Sequence, residues 1–175
     1  MKKQIEGFTL IELLVTIAII SILASFVLSS FSSAKQRAYQ SRALAEFKSM
    51  ATALELYYGD YGQYPPDASR NIPSGLENYL ATSGGDRWPD APWPGSIYDW
   101  ENWVDPDDST KKIYQISVRF CPAGGPLEAC VFPNLSWADG FDIDSSMYYC
   151  LEGACRSHVN QSVSYPGYCV NCGQN

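Results

Sequence analysis

Cysteine, aspartate and histidine are the residue types in this chain that could do chemistry, and their spacing says what kind. All six cysteines, Cys121, Cys130, Cys150, Cys155, Cys169 and Cys172, fall in the last third of the 175 residues. Cys169-Val170-Asn171-Cys172 has the spacing of a dithiol redox pair. Such a pair works when a helix N-terminus lowers the pKa of the attacking thiol, and the three residues after Cys172 are too few to make a helix. Cys150, Cys155, Cys169 and Cys172, with His158 nearby, could instead hold zinc, in an irregular spacing. An even count in an oxidising compartment reads first as a disulfide framework, and the simplest pairing is sequential: Cys121 with Cys130, Cys150 with Cys155, Cys169 with Cys172.

Asp139, Asp142 and Asp144, followed by Ser145, make an oxygen-rich loop. Calcium is held by carboxylate and carbonyl oxygens on such loops, although the spacing is not that of an EF-hand, and a solvated acidic turn is the plainer reading. Asp105, Asp107 and Asp108 form a second acidic group, read as solvated. Four of the five tryptophans lie between Trp88 and Trp103. Their rings could stack on a glycan, or seal a loop onto a sheet or a subunit contact, which is the commoner use of large aromatics. His158 is the single histidine, and neither a Gly-x-Ser-x-Gly run nor a phosphate loop is present, so no nucleophile and base can be paired and no enzyme is expected.

The element that positions all of this begins at the N-terminus. From Phe8 to Phe31 there is one charge, Glu12, and no Gly or Pro. As a helix this run is about 36 Å long, enough to cross a bilayer core of about 30 Å. A carboxylate inside such a span needs a partner. Cleavage after Gly7 would create an amine on Phe8, and that amine, or its copy on a neighbouring chain, could meet Glu12. Lys2 and Lys3 keep the first residues cytoplasmic, which leaves the C-terminal part outside. Beyond Phe31 the pattern turns amphipathic without a break, with Ala43, Phe47, Met50, Leu54 and Tyr57 on one helical face, and the helix is expected to run to about Tyr58 with Gly59 as its left-handed cap. Ser74 and Glu77 have capping-box spacing ahead of Leu76, Tyr79 and Leu80, which predicts a short helix before Gly84 and Gly85. Strands are expected late: 113–120, with Tyr114, Ile116, Val118 and Phe120 opposite Ile113, Gln115, Ser117 and Arg119; then 146–151, turning at Gly153 into 154–159; and more weakly 129–132.

Lys2-Lys3 ahead of Gly7, followed by Phe8-Thr9-Leu10-Ile11-Glu12-Leu13-Leu14-Val15, resembles the leader junction of type IV pilins and type II secretion pseudopilins. The resemblance implies cleavage between Gly7 and Phe8 by a prepilin peptidase and methylation of the Phe8 amine. It further implies guidance of assembly by Glu12, an inner-membrane assembly platform, and a homo-oligomeric helical filament with the apolar helix at its core. Ser21 and Ser29 stand where many relatives carry a Gly and a Pro. The order Asp90-Ala91-Pro92-Trp93-Pro94-Gly95 with Tyr98 is similar to a segment that introduces the sheet in the pseudopilin branch, whose members also hold calcium near that sheet, which would fall here to Asp139, Asp142 and Asp144.

The expected fold is α+β and pilin-like: one long N-terminal helix, half transmembrane and half amphipathic, packed on a small antiparallel sheet with a disulfide-stapled C-terminal region. The expected organisation is a leader at 1–7, a membrane or filament-core half at 8–31, an amphipathic half at 32–58 and a head at 59–175. Within the head, 59–112 is read as connecting, 113–159 as sheet and 160–175 as a Cys-rich tail. Without the leader's Lys2, Lys3 and Glu6 the chain's 12 basic and 19 acidic side chains become 10 and 18, an acidic balance that disfavours generic nucleic-acid binding. The reading is a pilin subunit of a type IV pilus, a single-pass inner-membrane protein before assembly and an extracellular filament after it. A secretion pseudopilin is the alternative within the class; a membrane-anchored glycan-binding module and an anchored thiol oxidoreductase are the alternatives outside it. Gly7→Val should leave an uncut chain of higher mass in the membrane, because the peptidase would meet a side chain at the scissile bond. Normal N-terminal trimming of that variant would remove the leader reading.

Overall fold

The computed structural model describes residues 8–80, 88–159 and 166–173. The chain divides into two units between Arg37 and Ala38. In the first, α1 (Leu10–Tyr61) begins, and its apolar side chains, Leu14, Ile20, Phe26 and Phe31 among them, are exposed in the single chain. This helix is long and apolar enough to cross a membrane. It continues through Ser21 and Ser29; the Ser21 hydroxyl donates to the Ile17 carbonyl at 2.7 Å and so competes for the backbone without breaking it.

The second unit is built where α1 meets a sheet. Ala43, Phe47, Met50 and Leu54 are all within 1 % of full burial, so the stripe read from the sequence is the core face of the helix. The sheet has the order β1 (Ile97–Asp105), β2 (Asp108–Arg119), β3 (Ser146–Glu152), β4 (Tyr168–Cys169). β1 and β2 form a hairpin through Asp105–Asp108, with Trp100 opposite Ile116 and Tyr98 opposite Val118, and β3 continues antiparallel with Met147 beside Val118. These five side chains face Phe47 and Leu54 in one buried cluster, which Trp93, Phe120 and Leu76 complete. Polar ends find partners at its rim: Trp100 Nε1 donates to the Pro65 carbonyl at 3.0 Å, and the Tyr98 hydroxyl donates to the Glu46 carboxylate.

Several expectations are corrected. α1 runs past Gly59 to Tyr61, and the left-handed residue is Gly62 at φ +68°, whose N–H reaches the Tyr58 carbonyl at 2.8 Å. Tyr57 and Tyr61 pack with ring centroids 4.4 Å apart, a contact that only another helical turn permits. Ser74 and Glu77 do not form a capping box: Leu76–Asn78 is one 3-10 turn entered through left-handed Gly75, with no side-chain cap, and it serves to bury Leu76. The expected stop at Gly84 and Gly85 lies outside the described residues. β1 falls inside the region read as connecting, because its sequence lacks clean alternation: Tyr98, Asp99, Trp100 and Glu101 are all buried, on both faces. Residues 129–132 and 154–159 are not strands. The sheet is mixed rather than purely antiparallel, since β4 pairs parallel to β3 through Met147 with Tyr168 and Tyr148 with Cys169.

The outer face of the sheet is closed by residues 155–158, and what they bring is backbone. The Gln115 carboxamide donates to the Arg156 carbonyl at 2.6 Å and accepts from the Arg156 N–H at 2.9 Å. Ser146 Oγ donates to the Ser157 carbonyl at 3.0 Å. Beneath them Glu101 accepts from Gln115, from Ser117 at 2.9 Å and from Arg119 at 3.4 Å. Burial pushes the Glu101 carboxyl up to about 8, against the pull of Arg119.

The folded state therefore holds the Glu101 proton more tightly than the unfolded chain, in which a glutamate titrates near 4.5. The stability that this group contributes is fully present below the unfolded value and is lost as pH rises toward about 8. The urea midpoint of the wild type should fall across that window, and Glu101→Gln should flatten the slope. Equal pH slopes for the two proteins would show that Glu101 does not govern this limb.

Candidate assembly site

The feature with functional chemistry in the N-terminal unit is the start of α1. Thr9 stands just before the helix, and its carbonyl accepts the Leu13 N–H at 3.2 Å. Its N–H and hydroxyl both donate to Glu12 Oε2, at 2.9 and 2.6 Å, while the Glu12 N–H reaches back to Thr9 Oγ1 at 3.3 Å. This is a reciprocal capping box, in which N-cap and carboxylate satisfy each other's first-turn donors. Thr-x-x-Glu ahead of an apolar run is its sequence signature, so the partner of Glu12 within its own chain is the neutral, local Thr9. Both of its bonds fall on Oε2, so Oε1 is not used by the box. The carboxylate is held toward the helix N-terminus, where the backbone dipole favours negative charge. Phe8 adjoins it and is 74 % exposed; Gly7 and the rest of 1–7 lie outside the described residues.

The other singled-out residues are in the C-terminal unit. The cysteines are joined as Cys121–Cys130, Cys150–Cys155 and Cys169–Cys172. Zinc would need four of these as thiolates, and Cys169 ends a strand, with no helix dipole to activate it. Asp139, Asp142 and Asp144 do not converge: among the described residues no three carboxylate, imidazole or thiol groups gather as a metal set. Asp142 Oδ1 accepts from the Ile143 N–H at 2.6 Å, and Asp144 lies 3.7 Å from His158. Burial lowers the His158 pKa, with Asp144 opposing that shift. The second acidic group is not simply solvated either, since Asp105 and Asp107 flank Arg156 at 3.2 and 3.0 Å. Arg156 was not legible as their partner because 49 residues or more of sequence separate them.

The glycan reading needs the rings of the Trp88–Trp103 stretch exposed, and three of the four are buried; the fourth, Trp103, is half-buried and packed beside Ile113. Trp88, Trp93 and Trp100 are 5 %, 1 % and 0 % exposed, which leaves none of the three a face for a sugar ring. Trp93 instead meets Phe120 edge to face at 5.5 Å.

Comparison with known proteins agrees with the N-terminal geometry. Residues 2–28 match the prokaryotic N-terminal methylation motif. The chain is 33 % identical over 100 residues to the type II secretion system core protein G of Aeromonas hydrophila, covering 53 % of this chain and 70 % of that one. It is 35 % identical over 100 residues to the Vibrio cholerae protein of the same name, covering 53 % and 68 %. It is also 41 % identical over 68 residues to the fimbrial protein EcpC of Eikenella corrodens, covering 38 % and 44 %. No solved structure matches. With the methylation motif at its start, a long apolar helix behind it and two-thirds or more of these secretion proteins matched, the chain belongs to the type IV pilin and type II secretion pseudopilin family.

Proposed function

We propose that this chain is a structural filament subunit, cleaved after Gly7, methylated at the Phe8 amine and assembled through α1, and that its filament is a secretion pseudopilus. The observation that carries the first part is the Thr9–Glu12 box, set one residue from the position where cleavage would create an amine. In an apolar filament core, attraction between that amine and a neighbour's Glu12 is weakly screened, so subunit addition relieves a buried charge. Partners on this reading are a prepilin peptidase, an inner-membrane platform and further copies of the chain.

The pseudopilus is favoured over the pilus, which the sequence suggested first, by the length of the matches. A match over 100 residues outruns the 52-residue helix and must take in part of the head, whereas one over 68 residues is short enough to lie almost wholly within the leader and helix. The fimbrial relative is the observation behind the second reading, a surface pilus. Deleting the gene and scoring both secreted protein and surface fibres separates them: loss of secretion without loss of long fibres supports the pseudopilus, and long fibres built from this subunit at native expression support the pilus.

Assembly is tested at Glu12 and Thr9. Glu12→Ala should enter the membrane as well as wild type yet form few or no filaments, and Glu12→Gln should fail with it if charge pairing drives addition. Thr9→Val keeps the shape but removes the hydroxyl, and should give an intermediate yield. The reading is the ratio of sheared filament to membrane-retained subunit at equal expression. A wild-type ratio from Glu12→Ala would overturn the assembly role.

A further inference from the structure

β3 is paired with β2 along its length on one side, but with β4 for only two residues on the other. The Val170 N–H then donates to the Tyr148 carbonyl at 2.9 Å. The next outward position on β3 is Cys150, and a side chain stands opposite it in place of a strand. The Cys150 N–H donates to Asn171 Oδ1 at 2.8 Å, and the Cys150 carbonyl accepts from Asn171 Nδ2 at 2.7 Å. One carboxamide supplies the acceptor and donor that a paired residue would supply, which blunts an edge that could otherwise recruit another strand.

Asn171 lies inside the short ring closed by Cys169–Cys172. The ring is anchored to the sheet at Cys169, in β4, and the Cys172 N–H donates back to Cys169 Sγ at 3.1 Å. Its other end, Cys172, is exposed, whereas Cys121 and Cys155 bury one end of each of the other two bridges. Without the cross-link, holding the Asn171 side chain in its two-bond pose would cost both backbone and rotamer entropy.

We propose that Cys169–Cys172 is a redox latch on the edge of the sheet. Oxidised, it holds the Asn171 carboxamide over the Cys150 backbone. Reduced, it releases the carboxamide and leaves the Cys150 N–H and C=O as an open edge pair. That pair lies in a cleft of about 490 Å³ between α1 and β3, lined by Lys48, Glu55 and Tyr149 together with Cys150 and Asn171 themselves. The reductant is a dithiol. One of its thiolates attacks the exposed Cys172 sulfur, the Cys169–Cys172 bond breaks, and Cys169 leaves as a thiolate that takes a proton from water. The second thiol of the reductant then displaces Cys172 and closes the reductant's own disulfide, so two electrons pass to the chain.

The test uses the full chain in detergent, titrated with dithiothreitol, with thiols trapped by alkylation and located by peptide mass. Cys169 and Cys172 should be alkylated at reductant levels that leave the other four cysteines bridged. At that point the Cys150 amide should exchange hydrogen about tenfold faster, the scale expected for loss of a net hydrogen bond. Cys169→Ser with Cys172→Ser should show the same acceleration without reductant. Asn171→Ala should show it with the bridge intact, which keeps the capping part testable if the double variant folds poorly. Reduction of another bridge first, or unchanged Cys150 exchange in Asn171→Ala, would overturn the proposal.

Discussion

A sheet has two faces, and among its described residues the C-terminal unit of this chain has one α-helix with which to cover them. The inner face is closed conventionally, by Phe47, Met50 and Leu54 of α1 on Tyr98, Trp100, Ile116 and Val118. The outer face is closed by residues 155–158, which contribute peptide groups more than apolar side chains. Peptide groups taken out of water must be hydrogen-bonded, so the sheet beneath them has to be polar. That requirement accounts for Gln115, Ser117, Ser146 and Glu101, all buried to within about 1 %. It also makes this face sensitive to any change that leaves one member unpaired, because a partly satisfied buried network is worse than none.

Carboxamides do the same work twice in this head. Gln115 satisfies both backbone groups of Arg156 on the outer face, and Asn171 satisfies both of Cys150 at the edge. Each pairing has a covalent constraint on one of its partners, the Cys150–Cys155 bridge one residue before Arg156 and the Cys169–Cys172 bridge around Asn171. One short ring thus positions backbone that lies outside any strand, and the other positions a side chain against the edge of β3. The residues that looked able to do chemistry are engaged in this way: cysteines in bridges, Asp105 and Asp107 on Arg156, and Trp88, Trp93 and Trp100 in the core. A head whose reactive groups hold its own chain together fits a family of structural subunits.

The N-terminal unit obeys a different constraint. Its apolar side chains are exposed in the single chain, so burial must come from lipid or from other copies, and the one charge among them has to be accommodated there. The capping box is the chain's own accommodation. It uses the first-turn donors that every helix leaves open, and it costs the apolar surface nothing beyond Thr9 and Glu12.

The elements whose cause is local could be read from the residue order alone. The apolar run and the capping signature ahead of it need only neighbours three and four residues apart, and the stripe from Ala43 to Leu54 needs only the helical period. The alternation of 113–120 placed two sets of side chains on two faces correctly, because the period of a strand is local too. What tertiary structure decided was which of those faces would be dry. Alternating Gln115, Ser117 and Arg119 are polar, yet a segment 38 or more residues away in sequence covers them, and burial by so distant a partner leaves no periodic trace. The same reason hid β1, whose Asp99 and Glu101 are polar because of what lies over them, and β4, a two-residue strand with no pattern to show. It turned Asp142 to the Ile143 N–H and Asp144 to His158, and it placed Asn171 against Cys150. Local spacing set the helix and its cap; long-range hydrogen bonding chose the partners of the polar groups buried beneath residues 155–158.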